Sequence, residues 1–191
     1  AEGPREGDDI RLMALVDYSA DEIASVRPVV PHREVCVDAA PTHTVIGGPQ
    51  GEVNEIVARA EAEEKFARVL QTKGASHTSQ VDPILGELAA ELAGIEPHTL
   101  QVAMYSSVDQ ETLYRPGHDG IHGVEYWTKG MRHSVYFTQA VRQALSDGHT
   151  TFVELNANPA TLMSVASTAF DAGVQDGQFI VATMSGDLHR S

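Results

Sequence analysis

A chain of 191 residues, 42% hydrophobic and 21% charged, is large enough to bury a core and has the composition of an ordinary soluble globular protein. With 13 basic against 27 acidic side chains, the net charge of -14 repels polyphosphate and argues against a nucleic-acid partner. No apolar run approaches the ~20 residues of a membrane span, no export signal opens the chain, and a single cysteine, Cys36, excludes an internal disulfide and fits the cytoplasm.

Residues 1–9 are polar, with Gly, Pro and acidic side chains, and read as a linker or frayed end. Alternation over 11–18 predicts a strand. Ser19 and Glu22 then form a capping box for a short helix carrying Ile23 and Val26. Strand signals at 34–39 and 43–47 flank a proline-containing turn, and Val53, Ile56, Val57 and Ala60 recur at helical spacing over about 50–64. The stretch 66–72 is β-compatible. The order strand, helix, strand, strand, helix, strand is ferredoxin-like.

The second half predicts a helix from an Asp82 cap and a first-turn Pro83, with Ile84, Leu88, Leu92 and Ile95 on one face. A strand over 100–108 and a long loop rich in Gly and His follow. A helix over 134–146 stops at Asp147 and Gly148, and strands at 151–155 and 179–183 enclose a helical stretch. Alternating strands and helices imply a mostly parallel sheet.

Chemistry concentrates at Gly74-Ala75-Ser76-His77-Thr78-Ser79-Gln80-Val81-Asp82-Pro83. An imidazole at the seam of two lobes titrates near neutrality, so it can take a proton from a hydroxyl and return it to a thiol leaving group. The plain alternative is a surface-loop histidine. His118, Asp119 and His122 suggest a metal clip, but no third or fourth ligand is near in sequence, so no metal is expected. Cys36 between Val35 and Val37 reads as a core thiol, Tyr126 and Trp127 as interface packing, and 61–64 as a solvated helix end.

The 74–83 segment resembles the second motif of the malonyl-CoA:acyl-carrier-protein transacylase family. The likeness continues through 125–137, where Tyr126-Trp127, Met131-Arg132 and Val135-Tyr136-Phe137 are similar to a run in polyketide synthase acyltransferases. It continues again at Phe152-Val153-Glu154-Leu155-Asn156 with Pro159, and Val45-Ile46-Gly47-Gly48-Pro49 resembles a strand end of the small sub-domain. Within the family, the nearest likeness is to the acyltransferases of mycolic-acid-condensing polyketide synthases of mycobacteria and corynebacteria. One departure is Asp38-Ala39-Ala40-Pro41, where the family often has Asn before Pro.

The resemblance implies a ferredoxin-like small sub-domain over 10–73 and the C-terminal part of an α/β hydrolase-like acyltransferase large sub-domain over 74–191. It implies a ping-pong transfer of a carboxyacyl group from CoA, through an acyl-serine, to the phosphopantetheine thiol of an acyl carrier protein. His77 is then the base, its ring held by the main-chain carbonyl at Gly130. Gly74 and Ser76 leave room for a bulky α-alkyl group, although Gly74 also suits a tight turn. No Gly-x-Ser-x-Gly elbow occurs in the 191 residues. The nucleophile, the carboxylate-binding arginine and the oxyanion hole are therefore expected outside this chain, in an N-terminal half of the same domain. The chain alone is expected to be inactive and to bind no cofactor, and a docking patch for an acidic carrier protein should be locally basic. The rival readings are a non-catalytic, serine-less scaffold and a stand-alone ferredoxin-like ligand sensor.

Overall fold

The computed structural model describes residues 10–25, 34–72, 74–110, 112–156, 159–174 and 178–181. The expectations at 1–9, at Val26 and at 182–183 lie outside the described residues.

The first unit runs β1 (Arg11–Val16), α1 (Ala20–Ser25), β2 (Glu34–Ala40), β3 (His43–Pro49), α2 (Gln50–Ala62) and β4 (Ala67–Val69). Its four strands form an antiparallel sheet in the order β2-β3-β1-β4. The expected capping box is present, with Ser19 N–H donating to Glu22 and Glu22 N–H donating to Ser19 Oγ. Strand alternation divides the side chains between two faces. Ala14, Val16 and Ile46 pack with Ile23 of α1 and with Val53, Ile56 and Ala60 of α2. Met13 and Cys36 pack on the other face, against Ala75. The turn that carries His77 lies on that second face.

Gly47 permits this close approach. A Cβ there would stand 2.5 Å from Cys36 Sγ and 2.9 Å from Thr78 Cγ2, distances at which something must shift.

Beyond the turn come a 3₁₀ helix (Ser79–Ile84), α3 (Leu85–Glu91), β5 (Met104–Tyr105), β6 (Leu113–Tyr114), α4 (Val124–Arg132), α5 (Phe137–Ser146), β7 (Thr151–Glu154), α6 (Leu162–Asp171) and β8 (Gln178–Val181). β7 and β8 pair in parallel, and Val141, Leu145, Val165 and Ala169 bury the contact between α5 and α6.

Five expectations need correction. The Asp82-Pro83 start is not a helix cap, because Thr78 caps a 3₁₀ helix that contains Pro83. The face expected along that helix is not a core face, since α3 has no buried residue and Ile84 and Ile95 are 48% and 41% exposed. The expected strand over 100–108 contracts to Met104–Tyr105. The expected loop contains α4, where Val124, Trp127 and Met131 recur at helical spacing; it buries no residue fully and is fastened by ion pairs at Lys129 and Arg132. The helix expected from residue 134 begins at Phe137, because Val135 is used as a parallel bridge to Val37.

That bridge joins the two halves. Val135 N–H donates to Cys36 O at 2.9 Å, and Asp38 N–H donates to Val135 O at 3.0 Å. Thr138 Oγ1 and Gln139 Nε2 donate to the Asp38 carboxylate from α5.

Candidate active site

The sequence from Gly74 to Gln80 folds as a tight turn for local reasons. Gly74 has φ +153°, which glycine enters without a Cβ clash. Gln80 Oε1 accepts Ala75 N–H at 2.6 Å, and buried Thr78 donates to Ala75 O at 2.7 Å. Thr78 Oγ1 also accepts Gln80 N–H, opening the 3₁₀ helix. Between these anchors His77 takes φ +58°, the left-handed region that a non-glycine residue enters at a cost.

Two carbonyls from the end of α4 meet this strained residue. His77 N–H donates to Met131 O at 3.1 Å, and His77 Nδ1 lies 3.1 Å from His133 O. A carbonyl oxygen only accepts, so Nδ1 carries the proton and Nε2 keeps the lone pair needed for base chemistry. His77 lines a cleft of about 320 Å³ together with Ile23, Glu34, Val35, Arg132, His133 and Ser134. The cleft therefore lies at the seam between the antiparallel unit and the helices that follow.

The ring's support is displaced from the expected position. It is the carbonyl of His133, not that of Gly130, because α4 continues through Arg132. His133 caps that helix in an extended conformation, φ -98° and ψ 168°, which turns its carbonyl away from the helix. Gly130 sits within the helix, its α-carbon facing Val108, where a Cβ would stand 3.2 Å from Val108 Cγ2.

Gly74 and Ser76 are not among the residues lining the cleft. Ser76 Oγ instead lies 3.7 Å from Met13 Sδ, toward the sheet.

Sequence reasoning missed the charged cluster beside His77. Glu34 Oε1 accepts Ser79 N–H at 2.6 Å, and its Oε2 accepts Arg132 Nη1 at 2.9 Å. Arg132 Nε donates to Asp82. Burial raises the Glu34 carboxyl, but the Ser79 N–H and the Arg132 guanidinium outweigh it and leave the group below its ordinary value. The signal was present as three charged residues close to His77 in the fold, yet 98 positions separate Glu34 from Arg132.

Other candidates resolve into packing. Burial, reinforced by the Glu34 charge, pushes the Cys36 thiol up to about 12, so it holds its proton and is a poor nucleophile. His118 Nδ1 contacts Asp119 O at 2.7 Å and its ring meets Tyr114 edge-on, whereas the His122 ring packs on Tyr126 and Trp127. Among the described residues, no group of three or more His, Cys, Asp or Glu side chains is arranged to hold a metal. Trp127 is 45% exposed, with its indole N–H on His122 O, and sits on the surface rather than inside an interface.

Fold and site together define a mixed α/β protein with a carbonyl-supported histidine in a cleft between two packed units. Comparison with known proteins gives the family. The acyl transferase domain family matches residues 8–191, and the chain belongs to it. It is 36% identical over 163 residues to a mycocerosic acid synthase-like polyketide synthase of Mycolicibacterium smegmatis, a match covering 82% of this chain and 7% of that protein. A counterpart in Mycobacterium tuberculosis is 38% identical over 159 residues, again 82% of this chain and 7% of the relative. The chain thus spans a small part of the curated relatives it matches. Among solved structures, the acyltransferase domain of the polyketide synthase PpsC of Mycobacterium tuberculosis superposes with TM-score 0.80 at 26% identity, over 90% of this chain and 52% of that one. The acyltransferase domain from module 8 of the salinomycin polyketide synthase gives TM-score 0.77 at 28% identity, over 90% of this chain and 39% of that one. These relatives are polyketide synthases and acyltransferase domains of polyketide synthases, mycobacterial ones among them, in line with the resemblance. Among the described residues no helix is long and apolar enough to cross a membrane.

Proposed function

We propose that this chain carries the general base of a polyketide synthase acyltransferase that moves a carboxyacyl group from CoA to the phosphopantetheine thiol of an acyl carrier protein. The observation that carries the reading is His77, whose Nδ1 rests on His133 O at the margin of the seam cleft. With Nδ1 protonated, Nε2 can accept the proton of an attacking serine hydroxyl. As imidazolium it returns that proton to the departing CoA thiolate, and the same exchange, run from the carrier thiol, releases the acyl group from serine. The ring's hydrogen bond to a carbonyl orients it in both halves of the reaction.

The serine, the oxyanion hole and the carboxylate-binding arginine are placed by this reading in another segment of the same cytoplasmic enzyme, so the chain alone is inactive. The residues 10–73 are read as a ferredoxin-like sub-domain, which the βαββαβ order and the β2-β3-β1-β4 sheet support. The residues 74–191 are read as part of a hydrolase-like sub-domain, supported by the parallel β7–β8 pair with α6 between its strands. The large α-alkyl preference that the resemblance implies for Gly74 and Ser76 gains no support from the cleft, since neither residue lines it; Ser76→Phe with unchanged acyl selectivity would refute it.

The experiment is intact-mass spectrometry of the full-length protein mixed with a carboxyacyl-CoA. An adduct of the acyl mass that disappears when a carrier protein is added fits the proposal. A protein that binds the carrier yet never gains the adduct points to the scaffold reading instead.

A further inference from the structure

We infer that Arg132 and Glu34 are positioning residues for His77, holding its ring in the Nδ1–H tautomer. The inference rests on His77 acting as the base.

The backbone gives the reason. His77 is held by Met131 O through its N–H and by His133 O through its ring, both at 3.1 Å. Arg132 lies between those two acceptors, so fixing its side chain fixes the peptide units on either side. The guanidinium reaches two other elements. Nη1 donates to Glu34 Oε2 on β2 at 2.9 Å, and Nε donates to Asp82 in the 3₁₀ helix. The second Glu34 oxygen accepts the N–H of Ser79, two residues beyond His77. Strand, turn and helix end are thereby joined in one circuit that closes around the imidazole.

A planar guanidinium suits this task, because its N–H groups reach two carboxylates in fixed directions. The Arg132 and Glu34 side chains are 23% and 30% exposed, so solvent screens their pair less than it screens an open surface pair. Asp82, 52% exposed, is the looser arm. Although Arg132 lines the cleft, its charge is already matched by these two carboxylates. It is a brace and not an anion receptor, and it touches the reaction only through the His133 carbonyl.

The test reads the ring directly. Nitrogen-15 NMR of the histidine rings in the 191-residue chain reports which nitrogen bears the proton. The wild-type His77 signal should be that of Nδ1–H. Arg132→Ala and Glu34→Gln should move it toward the Nε2–H form, with Arg132→Lys in between. Arg142→Ala, which breaks the Arg142–Asp171 pair between α5 and α6, should leave the His77 signal unchanged. In the full-length protein, Arg132→Ala should lower kcat by about 10- to 100-fold, as small misplacements of a catalytic group do, with KM within about twofold. Arg132→Lys should restore part of that loss. If Arg132→Ala does not fold, Glu34→Gln decides, because its amide still accepts the Ser79 N–H. A tautomer unaffected by Arg132→Ala and by Glu34→Gln overturns the inference. Tautomer shifts in a full-length protein that performs no acyl transfer overturn the functional reading, and with it the catalytic role of the brace, while showing that Arg132 and Glu34 do hold the ring.

Discussion

Thr138→Val removes one proton from the seam that brings the two halves of the cleft together. Thr138 is 1% exposed, and its hydroxyl lies 2.8 Å from Asp38 Oδ1 and 3.0 Å from Asp38 O. Valine nearly preserves the volume but leaves a carboxylate that is 8% exposed with one donor fewer, while Gln139 Nε2 still serves its other oxygen. A hydrogen bond to a charged group contributes about 1.5–3 kcal/mol, and water has little access here to replace it. With a urea slope of about 2 kcal/mol/M, the unfolding midpoint should fall by about 1 M at unchanged slope. Thr138→Ser keeps the donor and loses one methyl, a change of about 0.8 kcal/mol and so roughly 0.4 M. The midpoints should therefore rank threonine, then serine, then valine. A valine variant at or above the serine variant would refute the claim that this hydroxyl secures the seam.

Three further outcomes follow from the site's surroundings. Gly47→Ala should cost about 1–3 kcal/mol through overpacking against Cys36 and Thr78. Thermal melts should show Cys36→Ala recovering part of that loss, and strict additivity of the two would contradict the proposed clash. Glu34 is depressed in the folded state, so its contribution is present above its unfolded pKa and is lost as pH falls through the lower, folded value. The stability gap between wild type and Glu34→Gln, from urea midpoints, should thus shrink on moving from neutral pH into the acid range below ordinary glutamate titration; a constant gap would count against it. Cys36, fully buried with its thiol pushed up to about 12, should react with a disulfide reagent at least about 100-fold more slowly in the folded chain than after denaturation. Similar rates in the two states would contradict its burial.

Much of the antiparallel unit was legible because its signals are local. The apolar alternation through Ala14 and Val16, the Ser19–Glu22 capping box and the Val53, Ile56, Ala60 spacing each act within a few residues. His77 stood out in the sequence through the likeness of the 74–83 segment to a family motif, since a lone loop histidine carries little local signal. What holds its ring did not stand out. Recognising α4 fixes which carbonyl is turned outward, and that helix is specified more by the ion pairs of Lys129 and Arg132 than by a buried stripe. The family resemblance gave Gly130, whereas the end of the helix delivers His133. The Glu34–Arg132–Asp82 cluster was hidden by sequence distance, since long-range pairing leaves no periodicity to read. The start of α5 failed differently. Its helical pattern is real, but a parallel bridge to Val37 took Val135 into the sheet edge.

The most direct measurement is the rate of acyl transfer to a carrier protein by the full-length enzyme, before and after His77→Ala. Loss of proton transfer through that imidazole should slow turnover by about 10²–10⁴-fold, with the folded stability of the variant close to wild type. Transfer within about twofold of the wild-type rate would contradict the account, whatever the ring's contacts.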